Sequence, residues 1–224
     1  MEIDMEAYKR EFIQFLESAG VLKFGDFIAK SGRRIPYFVN AGEIKTGDQI
    51  AKLGQFYAKS YLEKVGNKRT VLYGPAYKGI PIAVAASIGL SANGLDVPFF
   101  FNRKEAKDHG EGGIFVGYLP KAGDEIVIVE DVITAGTAIR ESMENLKGLE
   151  GTKIAATFVM VDRKEKGKGE DGRSAMQEVS DEFGFPVYSV VDVYDIIEYL
   201  REDEKNAENV ERIIKYLEVN GAKA

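Results

Sequence analysis

The 224-residue chain contains no cysteine, which closes disulfide frameworks, thiolate metal sites and cysteine nucleophiles together. It also lacks any apolar run approaching the ~18 residues that a membrane helix needs. The longest candidate, IPIAVAASIGL, is rich in small residues and bracketed by glycine. The N-terminus, MEIDMEAYKREF, has neither the basic start nor the continuous apolar core of a signal peptide, so a cytoplasmic location and no membrane partner are expected. Positive charge is not in excess: 30 Lys and Arg stand against 36 Asp and Glu, a net charge of −6. Gripping nucleic acid rests largely on neutralising phosphates with Lys and Arg, so no nucleic-acid partner is expected. A local positive pocket remains compatible with an acidic chain, and the question becomes where positive charge concentrates.

What is present is an ordinary globular composition, 45% hydrophobic and 29% charged, which fits one domain over residues 1–224. Tyr8, Phe12, Phe15 and Leu16 recur at helical spacing over 5–19, with Gly20 as a stop. Residues 21–42 read as two short strands around Ser31–Gly32, a hairpin or hood carrying Lys30, Arg33 and Arg34. Thr46 or Asp48 can cap a following helix. After that, short β-branched and aromatic runs (TVLYG, VPFFF, EIVIVE, KIAATFVMVD, PVYSVV) alternate with helical stretches at 80–90, 137–149 and 174–183, and two helices at 192–200 and 206–219 finish the chain. Such alternation specifies crossover units: an α/β fold with a doubly wound, mostly parallel sheet covered by helices on both faces.

The most informative stretch is IVIVEDVITAGTA, residues 126–138. An apolar strand ends in Glu130 and Asp131, and Thr134, Ala135, Gly136 and Thr137 open the next helix. Small residues allow backbone N–H groups to converge, two hydroxyls add donors, and the helix N-terminus favours an anion, so the loop suits a phosphate monoester. The acidic pair suits hydroxyls or a cation instead, and a ribose diol fits. A lone glycine turn would be read as structural only, but strand, acidic pair and Thr-Ala-Gly-Thr in one frame favour the phosphate reading. Neither a Walker loop nor a dinucleotide fingerprint is present.

This strand, acidic pair and TAGT loop resemble those of the type I phosphoribosyltransferases. The resemblance implies that Glu130 and Asp131 hold the ribose hydroxyls of phosphoribosyl pyrophosphate, and that Val132, Ile133, Thr134, Ala135, Gly136, Thr137 and Ala138 wrap its 5′-phosphate. Glu130 is a mild departure, since many members have two aspartates.

Three further segments resemble the orotate phosphoribosyltransferases within that family. Residues 102–113, NRKEAKDHGEGG, read as a polar, glycine-ended mobile loop; on composition alone this would be a solvated loop. Its order, Arg-Lys-Glu-x-Lys-Asp-His-Gly, is similar to the family's catalytic loop, which implies that Arg103, Lys104, Lys107 and His109 gather on pyrophosphate and that part of the loop crosses to a neighbouring subunit in a homodimer. The turn Gly-Pro-Ala-Tyr-Lys-Gly, 74–79, resembles the family's pyrophosphate turn, with Tyr77 and Lys78 as contacts. The hood resembles the base-binding stretch. Lys30 would lie near base and pyrophosphate, and Phe38 and Val39, together with Thr134 of the loop, would meet the base; members often carry a second Phe where Val39 stands. Arg163, after the KIAATFVMVD strand, matches the family's partner for the orotate carboxylate, and a planar guanidinium suits bidentate recognition of that group.

The implied reaction is transfer of ribose-5-phosphate to orotate, giving orotidine 5′-monophosphate and pyrophosphate, with Lys78, Arg103, Lys107 and His109 neutralising the leaving group. Mg²⁺ is the expected cofactor, held mainly by substrate oxygens and water rather than by a protein cage. A phosphoribosyltransferase for another base, and a non-catalytic sensor of phosphoribosyl pyrophosphate, are the two alternatives. Whether His109 acts as an acid or only as a donor stays open.

Overall fold

The computed structural model describes residues 5–29, 32–107, 113–133, 136–167, 169 and 171–223, without the side chains of Met5, Glu6, Ala106 and Lys107. Helix α1 (Met5–Ser18) leads into a two-stranded antiparallel hood, β1 (Leu22–Ile28) and β2 (Arg34–Val39). Helix α2 (Gly47–Lys64) follows. Thr46, not Asp48, is its cap: the Thr46 side chain accepts from the Gln49 N–H while Gln49 reaches back to the Thr46 N–H. Then come β3 (Val71–Gly74), α3 (Gly79–Ala92), β4 (Phe99–Lys107), β5 (Gly113–Gly117), β6 (Glu125–Val129), α4 (Thr137–Leu146), β7 (Lys153–Asp162), α5 (Ala175–Phe183), β8 (Val187–Asp192), α6 (Val193–Leu200) and α7 (Ala207–Asn220).

Strands β3 to β8 form one sheet in the order β5-β4-β3-β6-β7-β8, parallel except for the antiparallel edge strand β5. The doubly wound, mostly parallel sheet is therefore present. Alternation along β6 divides the core: Val127 and Val129 join a cluster with residues of α1, α2, α3 and α6, whereas Ile126 and Ile128 join one with residues of α4 and α5. The apolar run IPIAVAASIGL is α3, buried between sheet and α2. A Cβ on Gly54 would lie 2.1 Å from the Ala85 carbonyl oxygen, and one on Gly89 2.4 Å from the Gly54 oxygen, so the α2–α3 crossing is a backbone-to-backbone contact that only glycine permits.

The expectation of a loop over 102–113 needs correction in its secondary structure. Residues 102–107 are the outer half of β4, and Gly113 begins β5, a strand that composition did not indicate. Pairing with β5 satisfies the backbone of this polar stretch, and the register shifts between Asn102 and Lys107. Only 108–112 remain between the strands, outside the described residues.

Candidate active site

The chain builds outward from the middle of the sheet in two directions, β3 to β5 on one side and β6 to β8 on the other. Such a reversal of strand order opens a crevice at the carboxyl ends of the two central strands. Here those ends are Gly74 and Val129, so the turn 74–79 and the segment after β6 face one another across a cleft lined by Tyr77, Lys78, Asn102, Glu130 and the α4 residues Ala138, Glu141, Ser142 and Asn145. The two segments that resembled phosphate sites, more than 50 positions apart, meet here.

Glu130 and Asp131 are both buried. The backbone around them is pinned: the Glu130 N–H donates to Phe158 O (2.9 Å), the Met160 N–H donates to Asp131 O (2.8 Å), and the buried Tyr57 hydroxyl donates to Glu130 O (2.6 Å). Lys78 Nζ reaches Asp131 Oδ2 at 2.8 Å. Burial, reinforced by the Asp131 carboxylate beside it, pushes the Glu130 carboxyl up to about 8, with Lys78 opposing the rise. Among the described residues Lys78 is the cation paired with this acidic pair, and the Glu130 carboxyl, protonated at neutral pH, can both donate to and accept from a hydroxyl. Val132 continues the strand direction through a bridge to Val161, Ile133 is buried in the core, and Gly136 takes the left-handed conformation (φ 69°) that starts α4, with Thr137 its first residue and Ala138 lining the cleft. Thr134 and Ala135 lie outside the described residues.

The turn after β3 is set by close contacts. A Cβ on Gly79 would lie 2.6 Å from Pro75 Cδ and 2.9 Å from Val129 O, so the turn can sit directly against the end of β6. Asn102, which had been grouped with the polar loop, supports the turn: its Oδ1 accepts from the Ala76 N–H (3.0 Å) and from the buried Tyr73 hydroxyl (2.8 Å). The signal in sequence was an amide ending the apolar run VPFFF. Tyr77 stands out from the turn, 67% exposed, with Lys104 Nζ 4.8 Å from its ring centroid. Arg103 points across β5, donating to Gly113 O and Phe115 O at 3.3 and 3.4 Å. Lys104 therefore joins the turn, and Arg103 does not in this arrangement. The Lys107 side chain and His109 lie outside the described residues, as does Lys30.

On the hood, Phe38 is 37% exposed and stacks on Phe27 at 5.6 Å, whereas Val39 packs against the core. Adjacent strand residues face opposite ways, so Phe38 turns outward where Val39 turns in. Arg163 is nearly buried. Its guanidinium carbon lies 5.2 Å from the Tyr37 ring centroid and its Nη2 2.5 Å from Glu165 Oε1, a partner that sequence reasoning did not assign. Burial works to lower the Arg163 pKa, but Tyr37 and Glu165 more than offset it, and the guanidinium stays charged.

The family model for the phosphoribosyl transferase domain matches residues 40–190. Orotate phosphoribosyltransferase of Clostridium beijerinckii is 46% identical over 98% of this chain and 100% of its own length. That of Vibrio parahaemolyticus is 51% identical over 95% of this chain and 97% of its own. This chain belongs to the orotate phosphoribosyltransferase family. The crystal structure of the Francisella tularensis orotate phosphoribosyltransferase superposes with a TM-score of 0.81 at 40% identity, covering 95% of this chain and all of that one. The mostly parallel sheet flanked by helices is therefore that of a type I phosphoribosyltransferase fold. Among the described residues no helix is long and apolar enough to cross a membrane.

Proposed function

We propose that this cleft carries out the orotate phosphoribosyltransferase reaction, with phosphoribosyl pyrophosphate lying across the two central strand ends. Its 5′-phosphate occupies the loop from Val132 to Ala138, its ribose hydroxyls meet Glu130 and Asp131, and its pyrophosphate meets Tyr77, Lys78 and the cations of the β4–β5 arm. The observation that supports this most is the 2.8 Å contact between Lys78 and Asp131, which puts a leaving-group cation and a diol-binding carboxylate within one reach. Orotate enters beneath Phe38 with its carboxylate toward Arg163. The ring nitrogen forms a bond to the anomeric carbon as the carbon–oxygen bond to pyrophosphate breaks, through an oxocarbenium-like state that needs no protein nucleophile.

The protein's tasks are positioning and neutralising charge on the departing oxygen, done by Lys78 together with Arg103, Lys104, Lys107 and His109 once the arm closes. Arg103 must leave the β5 carbonyls to take part. Two adjacent carboxyls, one already on a lysine, are too few donors for a protein cage, and they suit a hydrated Mg²⁺ held through substrate oxygens. Bound there, Mg²⁺ supplies charge neutralisation on the pyrophosphate. A homodimer is part of the proposal, with part of the 102–113 arm reaching the neighbouring cleft. Its support is the position of β4 and β5 at the sheet edge beside the exposed Tyr77.

The decisive test follows orotate absorbance on mixing protein, phosphoribosyl pyrophosphate and Mg²⁺, beside adenine, hypoxanthine and uracil. Consumption of orotate alone, dependent on Mg²⁺, is expected. Consumption of another base in preference would sink the assignment of the base end. Co-expressing Arg103→Ala with Asp131→Asn chains tests the shared site: mixed dimers regain activity that neither variant has alone, and no recovery removes the crossing arm.

A further inference from the structure

A polar cluster that the reaction scheme leaves unused lies behind Arg163. Glu165 is divided between two guanidiniums: Oε1 is 2.5 Å from Arg163 Nη2, and Oε2 accepts from Arg33 Nη1 at 3.4 Å. The cluster gathers distant parts of the chain. Tyr37 comes from β2 of the hood, Arg33 from the turn before it, Arg163 and Glu165 from beyond β7, and Tyr216 from α7. Glu165 is itself fastened by a backbone bridge to Gly221, just after α7. The hydroxyls of Tyr37 and Tyr216, Nε and Nη2 of Arg163 and Oε1 of Glu165 are all buried without a well-aligned hydrogen bond among the described residues, so Arg163 and Glu165 meet as an ion pair, and Tyr216 feels Arg33, Glu165 and Arg163.

The charges do not cancel. Two guanidiniums face one carboxylate, leaving one positive charge in excess, shared between the nearly buried Arg163 and the partly exposed Arg33. An isolated Arg163–Glu165 pair would be self-neutralised and would offer little to an incoming anion. Arg33 restores the charge, and a single base carboxylate completes it. A guanidinium has five donors in one plane, and a contact to one carboxylate oxygen leaves most of them free for a second acceptor. With one edge held by Glu165 and one face against Tyr37, the plane of Arg163 has little freedom left.

We propose that Glu165 is a positioning residue for base recognition: by bridging Arg163 to Arg33 it fixes the Arg163 guanidinium against Tyr37 and keeps the cluster one positive charge in excess, the complement of the orotate carboxylate. This rests on the reading that Arg163 receives that carboxylate. Glu165 touches no substrate and acts only through its two arginines.

The test is steady-state kinetics of Glu165→Ala, Arg33→Gln and Arg163→Ala with orotate and phosphoribosyl pyrophosphate varied separately. Loss of a guanidinium's anchor raises the orotate KM of Glu165→Ala about 10-fold, with kcat and the phosphoribosyl pyrophosphate KM within about twofold of the parent. A merely structural role would lower kcat and active protein without this split. Arg33 is partly exposed, so Arg33→Gln folds even where Glu165→Ala does not; removing the excess charge raises its orotate KM about threefold or more. An unchanged or lower orotate KM in Glu165→Ala and Arg33→Gln, beside an Arg163→Ala variant that has lost orotate, overturns the positioning role alone. An Arg163→Ala variant that keeps its orotate KM overturns the underlying reading instead.

Discussion

The two groups of cations that the proposed function assigns to pyrophosphate and to orotate are held in opposite ways. In the group proposed for pyrophosphate, Lys78 is 53% exposed and tied to one carboxylate, Lys104 rests on an exposed ring, and Arg103 is parked on two carbonyls. In the group proposed for the base, Arg163 is 12% exposed and braced by Tyr37 and Glu165. The contrast matches what the proposed function asks of each group. Pyrophosphate must be gripped in the transition state and then released, which suits cations that can change partners at small cost. A base must be discriminated, which suits a desolvated, pre-oriented fork whose unmet hydrogen bonds penalise the wrong ligand.

The sharpest way to break this division is Lys78→Ala. Removing one donor from a developing charge lowers kcat by about 10²–10³, and the loss is the same for every base that can be forced to react; a shift in base preference, read from a competition assay, would erase the division. Arg163→Lys keeps the charge but loses the planar fork, and kcat/KM for orotate falls about 10- to 100-fold with little change for phosphoribosyl pyrophosphate. Asn102→Ala leaves the Tyr73 hydroxyl and the Ala76 N–H without their acceptor; thermal unfolding should show a loss of about 1–3 kcal/mol, with turnover reduced because the turn is no longer held.

A further prediction, from Glu130→Gln, concerns how stability changes with pH. The folded-state pKa of Glu130, about 8, lies above its ordinary 4.5, so the fold favours the protonated form. The stability contributed by this group is therefore full below pH 4.5, declines as pH rises and is gone above about 8. Denaturant unfolding across that window should show a downward trend in the parent that flattens in Glu130→Gln. An identical trend in both would assign the titration to another group.

Much of this was legible in sequence because periodicity and punctuation agree. The apolar strands, the Thr46 cap and the TAGT frame each carry their own local signal. What was not legible depends on contacts made only in the fold. Gly113–Gly117 looks like loop because two glycines flank three apolar residues; it is a strand because β4 lies beside it. The charged RKEAK stretch is extended for the same reason. Asn102 is one amide among loop residues until Tyr73 and Ala76 are brought to it. Glu165 follows Arg163 by two positions with Lys164 between them in the left-handed region (φ 49°), a turn that lysine does not announce.

The glycine contact between α2 and α3 has a consequence for how this protein tolerates change. Gly54 and Gly89 lie in the interior of helices, where alanine would ordinarily be an improvement, yet each is a position where a single methyl would collide with another helix's backbone. A saturation library should therefore reveal two separate zones of intolerance. At the cleft, substitutions leave soluble protein that turns over poorly; along the α2–α3 seam they deplete the protein itself. Sorting variants by yield before assaying them would separate the machinery from the frame that carries it.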